Sequence, residues 1–172
     1  MKAWHFVAAD KKLRDGRPLP EPGVILRHEG PIELCSSGLH ASIRPIDALR
    51  YAPGPYICRV DCTGHWIRSD DKIVCTERTI LWGYDATAVL RKFARMCALD
   101  VIEKWNAPEV VVKYLKTGDE ELRATAADAS AYAYAAAARA AARDAALAAA
   151  GDAALDAQNR RLYRMLMAGR EG

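Results

Sequence analysis

Two stretches decide the fold: YICRVDC at residues 56–62 and IVCTERTILW at residues 73–82. The first alternates in polarity, so its two cysteines and its valine share one face of a β-strand. The second is a nearly continuous apolar run that is interrupted by Glu77 and Arg78. Gly64 predicts a turn after the first stretch, and the segment that follows is expected to hold two further strands joined around a Ser-Asp-Asp turn.

The rest of the N-terminal half predicts further short strands and one short helix. The predicted strands lie at residues 2–8, 24–27, 32–35 and 39–43. A helix is predicted over residues 44–51, because apolar positions recur there at helical spacing before a Pro-Gly-Pro sequence ends it. Short strands with one inserted helix predict an α+β head with a small, mostly antiparallel sheet.

The pattern changes at Asp85, which is a typical N-cap residue. Apolar residues follow it at steps of three and four, which predicts a helix that packs on the head. A shorter helix is expected to begin at Pro108 and to stop at Gly118. We therefore assign a strand-rich head to residues 1–84 and packing helices to residues 85–118.

Residues 119–168 are predicted to form a long alanine-rich helical tail. Alanine supplies 21 of the 34 residues from position 124 to position 157, and it has the highest intrinsic helix propensity. Gly151 is the expected position of a break in this helix. We expect the tail to be independent of the head, so that a chain ending near Gly118 keeps its fold. Its small side chains also favour close helix packing, and self-association through the tail is a second interpretation.

Composition and charge disfavour several classes. The net charge is +3 with both signs interspersed, whereas nucleic-acid-binding proteins usually concentrate basic residues on one stripe. No leader peptide and no strongly apolar span of 18 residues is visible, so we expect a cytoplasmic protein that does not enter the membrane. The five cysteines lack the spacing of a zinc site, and no metal site is predicted. Cys58 and Cys62 are interpreted as small buried thiols.

Five polar side chains of the head are candidates for a functional site: His5, His40, Ser42, Glu77 and Arg78. Two of them, at positions 40 and 42, share one side of their strand. Histidine can donate and accept a proton near neutral pH, and a carboxylate can act as a base. The structural alternatives are semi-buried histidines and a serine that caps the following helix. A site requires that these side chains converge.

The head resembles a family of uncharacterised phage and bacterial proteins. The resemblance rests on residues 2–6 (KAWHF), 38–42 (GLHAS), 70–74 (DDKIV) and 76–82 (TERTILW). Members of that family often carry alanine-rich tails. The resemblance implies an accessory protein in a phage or prophage setting, where antagonists of host defence are plausible.

A more local resemblance is to ADP-ribosyltransferase-like folds. It rests on the opening strand, a Gly-x-x-x-Ser stretch leading into a short helix, and a Glu before an apolar strand. This resemblance implies NAD as cofactor, with His5 contacting the nicotinamide nucleotide, Ser42 shaping the pocket and Glu77 as the catalytic carboxylate. His40 and Arg78 would complete the cofactor site. The chain departs from the usual pattern at Cys75, where an acidic residue or glutamine is typical.

Three functions follow as hypotheses. The first is an accessory protein without a cofactor that binds a host or phage protein. The second is an NAD-dependent ADP-ribosyltransferase-like enzyme, and the third is nucleic-acid binding. The first two hypotheses differ in one expectation: the enzyme requires that His5, Ser42 and Glu77 share one cavity.

Overall fold

A computed structural model describes residues 1–104, 106–128 and 151–171 of the chain. These residues group into two compact units, Met1–Val89 with Asn159–Gly172, and Leu90–Gln158. Most of the alanine tract, residues 129–150, lies outside the described residues. The prediction of one long alanine-rich helix is therefore not supported, and a break at Gly151 stays a prediction.

The first unit contains an open, antiparallel sheet of five strands. The strands are β1 (Lys2–Val7), β2 (Ile25–Arg27), β3 (Leu39–Ala41), β4 (Tyr56–Arg68) and β5 (Ile73–Asp85). Their order is β1-β4-β5-β2, and β3 also pairs with β5. Ser42, just after β3, exchanges two backbone hydrogen bonds with Trp4 of β1, at 2.7 and 2.9 Å. The α+β class and the antiparallel sheet predicted from the sequence are confirmed.

Two local predictions in the head are wrong. Residues 32–35 form no strand, because Glu33 and Ser37 pair with each other around a tight turn. Gly64 does not end a strand, since β4 continues through it as an irregularity between Thr63 and Trp66. Gly64 has φ +69°, and a Cβ there would collide with the Thr76 hydroxyl. Glycine is therefore required at this bulge rather than at a turn.

The helices are α1 (Pro45–Arg50), α2 (Thr87–Leu99), α3 (Glu109–Thr117), α4 (residues 120–128) and α5 (Gly151–Gly169). A 3₁₀ turn spans Ile102–Lys104. Arg44 is the N-cap residue of α1 and makes no side-chain cap hydrogen bond. The interpretation of Ser42 as the cap of this helix is therefore wrong.

The end of α5 belongs to the head. Leu162 and Leu166 are both 0% exposed, and the Tyr163 ring meets Trp4 edge to face at a centroid distance of 5.8 Å. The Tyr84 hydroxyl donates to the Leu166 carbonyl at 2.7 Å. These contacts contradict the expectation that the tail is independent of the head, because the last turns of the chain complete the head's packing.

The second unit holds most of α2, all of α3 and α4, and the beginning of α5. The left-handed Gly118 ends α3, as predicted. At the start of α4, the Asp119 carboxylate accepts from the Glu121 amide at 3.0 Å, and the Thr117 hydroxyl accepts from the Asp119 amide at 3.2 Å. No helix within the described ranges is long and apolar enough to cross a lipid bilayer.

Candidate functional site

A cavity of about 570 Å³ opens in the first unit, within the size range of small-molecule sites. Its wall is built from β1, the loop after β1, the turn before β3, β3 itself, α1 and β5. The backbone pairing of Ser42 with Trp4 brings β1 and the end of β3 side by side. This contact places polar groups that are far apart in the sequence on one wall.

Four of the five candidate residues line this cavity: His5, His40, Ser42 and Arg78. Glu77 does not line it. Successive residues of a strand point to opposite sides of the sheet, and Glu77 faces away from the side that Arg78 occupies. Its carboxylate accepts from Arg27 Nε and from the Thr63 hydroxyl, each at 3.2 Å. The structure therefore brings the candidate residues together without the carboxylate.

Arg78 is the buried cation of the site, at 4% exposure. One terminal guanidinium nitrogen donates to the His40 carbonyl at 2.5 Å, while Nε is buried without a hydrogen-bond partner among the described residues. Burial lowers the pKa of Arg78, and the neighbouring thiols of Cys62, Cys75 and Cys58 act in the opposite direction. No described carboxylate pairs with this guanidinium. Buried charges are normally paired, so the wall presents an unbalanced positive charge.

Both imidazoles of the cavity are held in the neutral form. Burial lowers the pKa of His5 well below its ordinary value, and the charge of Arg78 and the ring of His40 add to this effect. Burial also lowers the pKa of His40, against a hydrogen bond to Gly38 that raises it. At neutral pH these rings can therefore serve as uncharged donors or acceptors.

The contacts of His40 assign its tautomer. The backbone amide of Cys35 donates to Nε2 at 3.0 Å, so Nε2 is the acceptor of the ring. Nδ1 then carries the proton and faces the Gly38 carbonyl at 3.2 Å. His40 consequently positions the turn that contains Cys35 against the cavity.

The exposed rim of the cavity is basic. Arg14, Arg17 and Lys72 line it together with one carboxylate, Asp15. Asp15 accepts two hydrogen bonds from the Arg17 guanidinium, at 2.8 and 2.6 Å, so this pair is internally compensated. Arg14 makes no ion pair within the described part of the chain. Arg14, Lys72 and Arg78 therefore leave the cavity positively charged.

Sequence reasoning missed the rim residues Arg14, Lys72, Tyr51 and Cys35. Arg14 belongs to the Lys-Lys-Leu-Arg group at positions 11–14, which is typical of a solvated surface. Lys72 follows two aspartates that indicate only a turn. The sequence does contain a local excess of basic residues, but no local sequence pattern shows that these residues face His40.

The interpretation of Cys58 and Cys62 as buried thiols is confirmed. Cys58 and Cys62 are 0% and 1% exposed. Burial raises the pKa of Cys58 to about 11, while a hydrogen bond from Cys75 lowers that of Cys62. The same hydrogen bond, together with burial, raises the pKa of Cys75. All three thiols act electrostatically on the Arg78 guanidinium.

Comparisons with known proteins give one family. No curated protein and no solved structure matches the chain. Residues 1–92, which contain the whole sheet and every residue that lines the cavity, match the family described as "Domain of unknown function (DUF7666)". Since that match covers more than half of the chain, the protein belongs to the DUF7666 family.

Proposed function

We propose that the head is a binding domain that recognises an anionic group, a carboxylate or a phosphate, inside this cavity. The observation that carries the proposal is Arg78, a guanidinium at 4% exposure with an unpartnered Nε in the cavity wall. A buried charge without a partner is costly to stability. Such a group is expected where a ligand completes its hydrogen bonds.

The neighbours of Arg78 support the same chemistry. The neutral His5 imidazole and the Ser42 hydroxyl can donate to an anion without adding charge. Arg14 and Lys72 on the rim attract negative charge from solution. Carboxylates and phosphates form strong, geometrically specific hydrogen bonds with guanidinium groups. The head resembles a family of phage and bacterial proteins. We therefore propose that the anionic group belongs to a host or phage protein.

The two other hypotheses have less support. Transferase chemistry needs a catalytic carboxylate in the cavity, but Glu77 is directed toward Arg27 and Thr63. The rim carboxylate Asp15 is already paired with Arg17. For nucleic acid, the basic residues at positions 11–17 and those at positions 160–164 would have to form one continuous face. Arg14 lines the large cavity, whereas Arg160 and Arg164 line a different cavity of about 460 Å³.

Calorimetric titration of the full chain tests the proposal. The probes are inorganic phosphate, succinate and AMP, with adenosine as the uncharged control. We expect the anions to bind and adenosine not to bind. Arg78→Gln should weaken binding at least about tenfold, because hydrogen bonds to charged groups contribute about 1.5–3 kcal/mol. Glu77→Gln, on the neighbouring residue, is the matched control and should leave the affinity unchanged.

Two outcomes would overturn the proposal: no binding of any anion by the folded protein, or undiminished binding by Arg78→Gln. Arg14→Gln provides a second variant at an exposed position, where loss of folding is not expected, and should weaken binding by a smaller factor. NAD is titrated in parallel and labelled ADP-ribose transfer is measured. Transfer that is lost in Glu77→Gln would replace the proposal by the transferase hypothesis.

A further inference from the structure

Cys35 differs from the other four cysteines of the chain. Cys58, Cys62 and Cys75 are buried and Cys97 is partly buried, whereas Cys35 is exposed and lines the cavity. It lies in the turn closed by Glu33 and Ser37, with the left-handed φ of +68°. This conformation is uncommon for a residue with a side chain, and it is found at sites where the surrounding structure enforces it.

Two contacts fix the thiol at the rim. Lys72 Nζ donates to Cys35 Sγ at 3.1 Å, and the backbone amide of Cys35 donates to His40 Nε2 at 3.0 Å. Lys72 is itself held 4.3 Å above the Tyr51 ring. Its interactions with Tyr51 and then with Cys35 raise the pKa of Lys72.

This arrangement favours nucleophilic chemistry at sulfur. The thiolate is the reactive form of cysteine, and an adjacent ammonium group stabilises negative charge on it. Arg78, nine-tenths buried and with an unpartnered Nε, lies in the wall of the same cavity. A ligand anchored by its negative charge would therefore be held in the cavity that this thiol borders.

We propose that Cys35 is a nucleophilic thiol that forms a covalent bond to a small anionic electrophile held in the cavity. The anionic part of this inference rests on the proposed binding function, while the reactivity of the thiol does not. The thiol loses its proton to water, and its sulfur lone pair attacks an electrophilic carbon of the ligand. The S–C bond forms as the bond to the leaving group breaks, and the leaving group departs with the electron pair.

Iodoacetate is a suitable probe, since it carries a carboxylate and an electrophilic carbon. Its reaction gives S-carboxymethyl-Cys35 and iodide. Iodoacetamide undergoes the same substitution without the negative charge. Rates with both reagents are measured on the full chain at pH 7 by intact mass and peptide mapping. We expect Cys35 to react with iodoacetamide severalfold faster than in the guanidinium-unfolded chain, because Lys72 Nζ is held 3.1 Å from its sulfur in the folded chain.

Variants separate the two parts of the inference. Lys72→Gln should lower the rate of reaction of Cys35 with both reagents severalfold. Lys11→Gln is the matched control, because Lys11 also lies over a tyrosine ring, 4.7 Å from the centroid of Tyr56, and does not line the cavity. Arg78→Gln and the exposed Arg14→Gln should lower the rate with iodoacetate more than the rate with iodoacetamide.

The failures of the two proposals are distinguishable. An iodoacetamide rate no faster than in the unfolded chain, or one unaffected by Lys72→Gln, overturns the nucleophile and leaves the anion-binding function intact. A fast iodoacetamide reaction with an iodoacetate-to-iodoacetamide ratio equal to that of the unfolded chain overturns the anionic electrophile and counts against the binding function as well.

Discussion

The two sides of the sheet can be compared at adjacent positions of β1. Trp4 packs edge to face on Trp82 at 5.7 Å and on Tyr163 of α5 at 5.8 Å. The next residue, His5, lies on the side where Arg78 is enclosed with the cysteines of β4. One side thus combines aromatic rings with the apolar residues of a helix. The other combines a buried cation with neutral imidazoles and thiols.

The difference indicates that the two sides contribute differently to stability. Burial of apolar area on the helix side is directly stabilising. A buried guanidinium without a carboxylate partner costs stability instead, and such costs are typical of binding sites. The helix side is therefore expected to dominate the free energy of unfolding, and the cavity side to control ligand binding and the response to pH.

The largest effect is expected on the helix side. Leu166→Ala should lower the free energy of unfolding by about 2–5 kcal/mol, because a fully buried leucine loses its contacts and leaves a cavity. Urea unfolding followed by circular dichroism measures the change. Ile25→Ala, at a position that is 43% exposed, is the control and should cost under about 1 kcal/mol. Equal, small losses would show that α5 is dispensable for the head.

A pair of glycines tests how tightly the cavity side is packed. Gly38 and Gly30 have similar left-handed φ values of +110° and +101°. A Cβ at Gly38 would lie 2.5 Å from Val74 Cγ2, whereas a Cβ at Gly30 meets nothing within 4 Å. Gly30→Ala therefore reports backbone strain alone. Gly38→Ala should lower the free energy of unfolding by roughly a further 1–3 kcal/mol, because the added methyl group overpacks the site. Equal costs in urea unfolding would mean that the turn before β3 can move away from β5.

The smallest effect concerns pH. The folded pKa of His5 is lowered below its unfolded value of about 6.5. The unfolded chain therefore binds a proton that the folded chain does not, and stability falls as pH drops below about 6.5 toward the folded pKa. The contribution of His5 is at most about 1.4 kcal/mol per pH unit. Unfolding measured between pH 7 and pH 5 should show a shallower loss for His5→Gln.

The control for this experiment is His65→Gln, because His65 is exposed and does not line the cavity. It should keep the wild-type dependence on pH. The aspartates with lowered pKa, such as Asp61 and Asp85, act at lower pH and do not interfere. An unchanged slope in His5→Gln would show that the imidazole is not enclosed on the cavity side.

Local sequence patterns determined most of the secondary structure. Alternation placed β1 and β4, proline and glycine bounded α1 and α3, and the apolar run at residues 73–82 marked β5. These features depend on backbone preferences and on the neighbours of each residue. They were also sufficient to nominate His5, His40, Ser42 and Arg78, the four candidate residues that line the cavity.

Long-range packing decided the rest. Glu77 and Arg78 are adjacent in the sequence, yet only the pairing of β5 with its neighbours determines which of them faces the cavity. The turn at Cys35 replaced a predicted strand because Glu33 pairs with Ser37 and the amide of Cys35 donates to His40. Leu162 and Leu166 have ordinary helical spacing, and their burial against the head follows from contacts with residues about 80–160 positions earlier. Sequence periodicity specifies which side of an element is apolar, whereas the identity of the facing groups arises only when distant segments pack together.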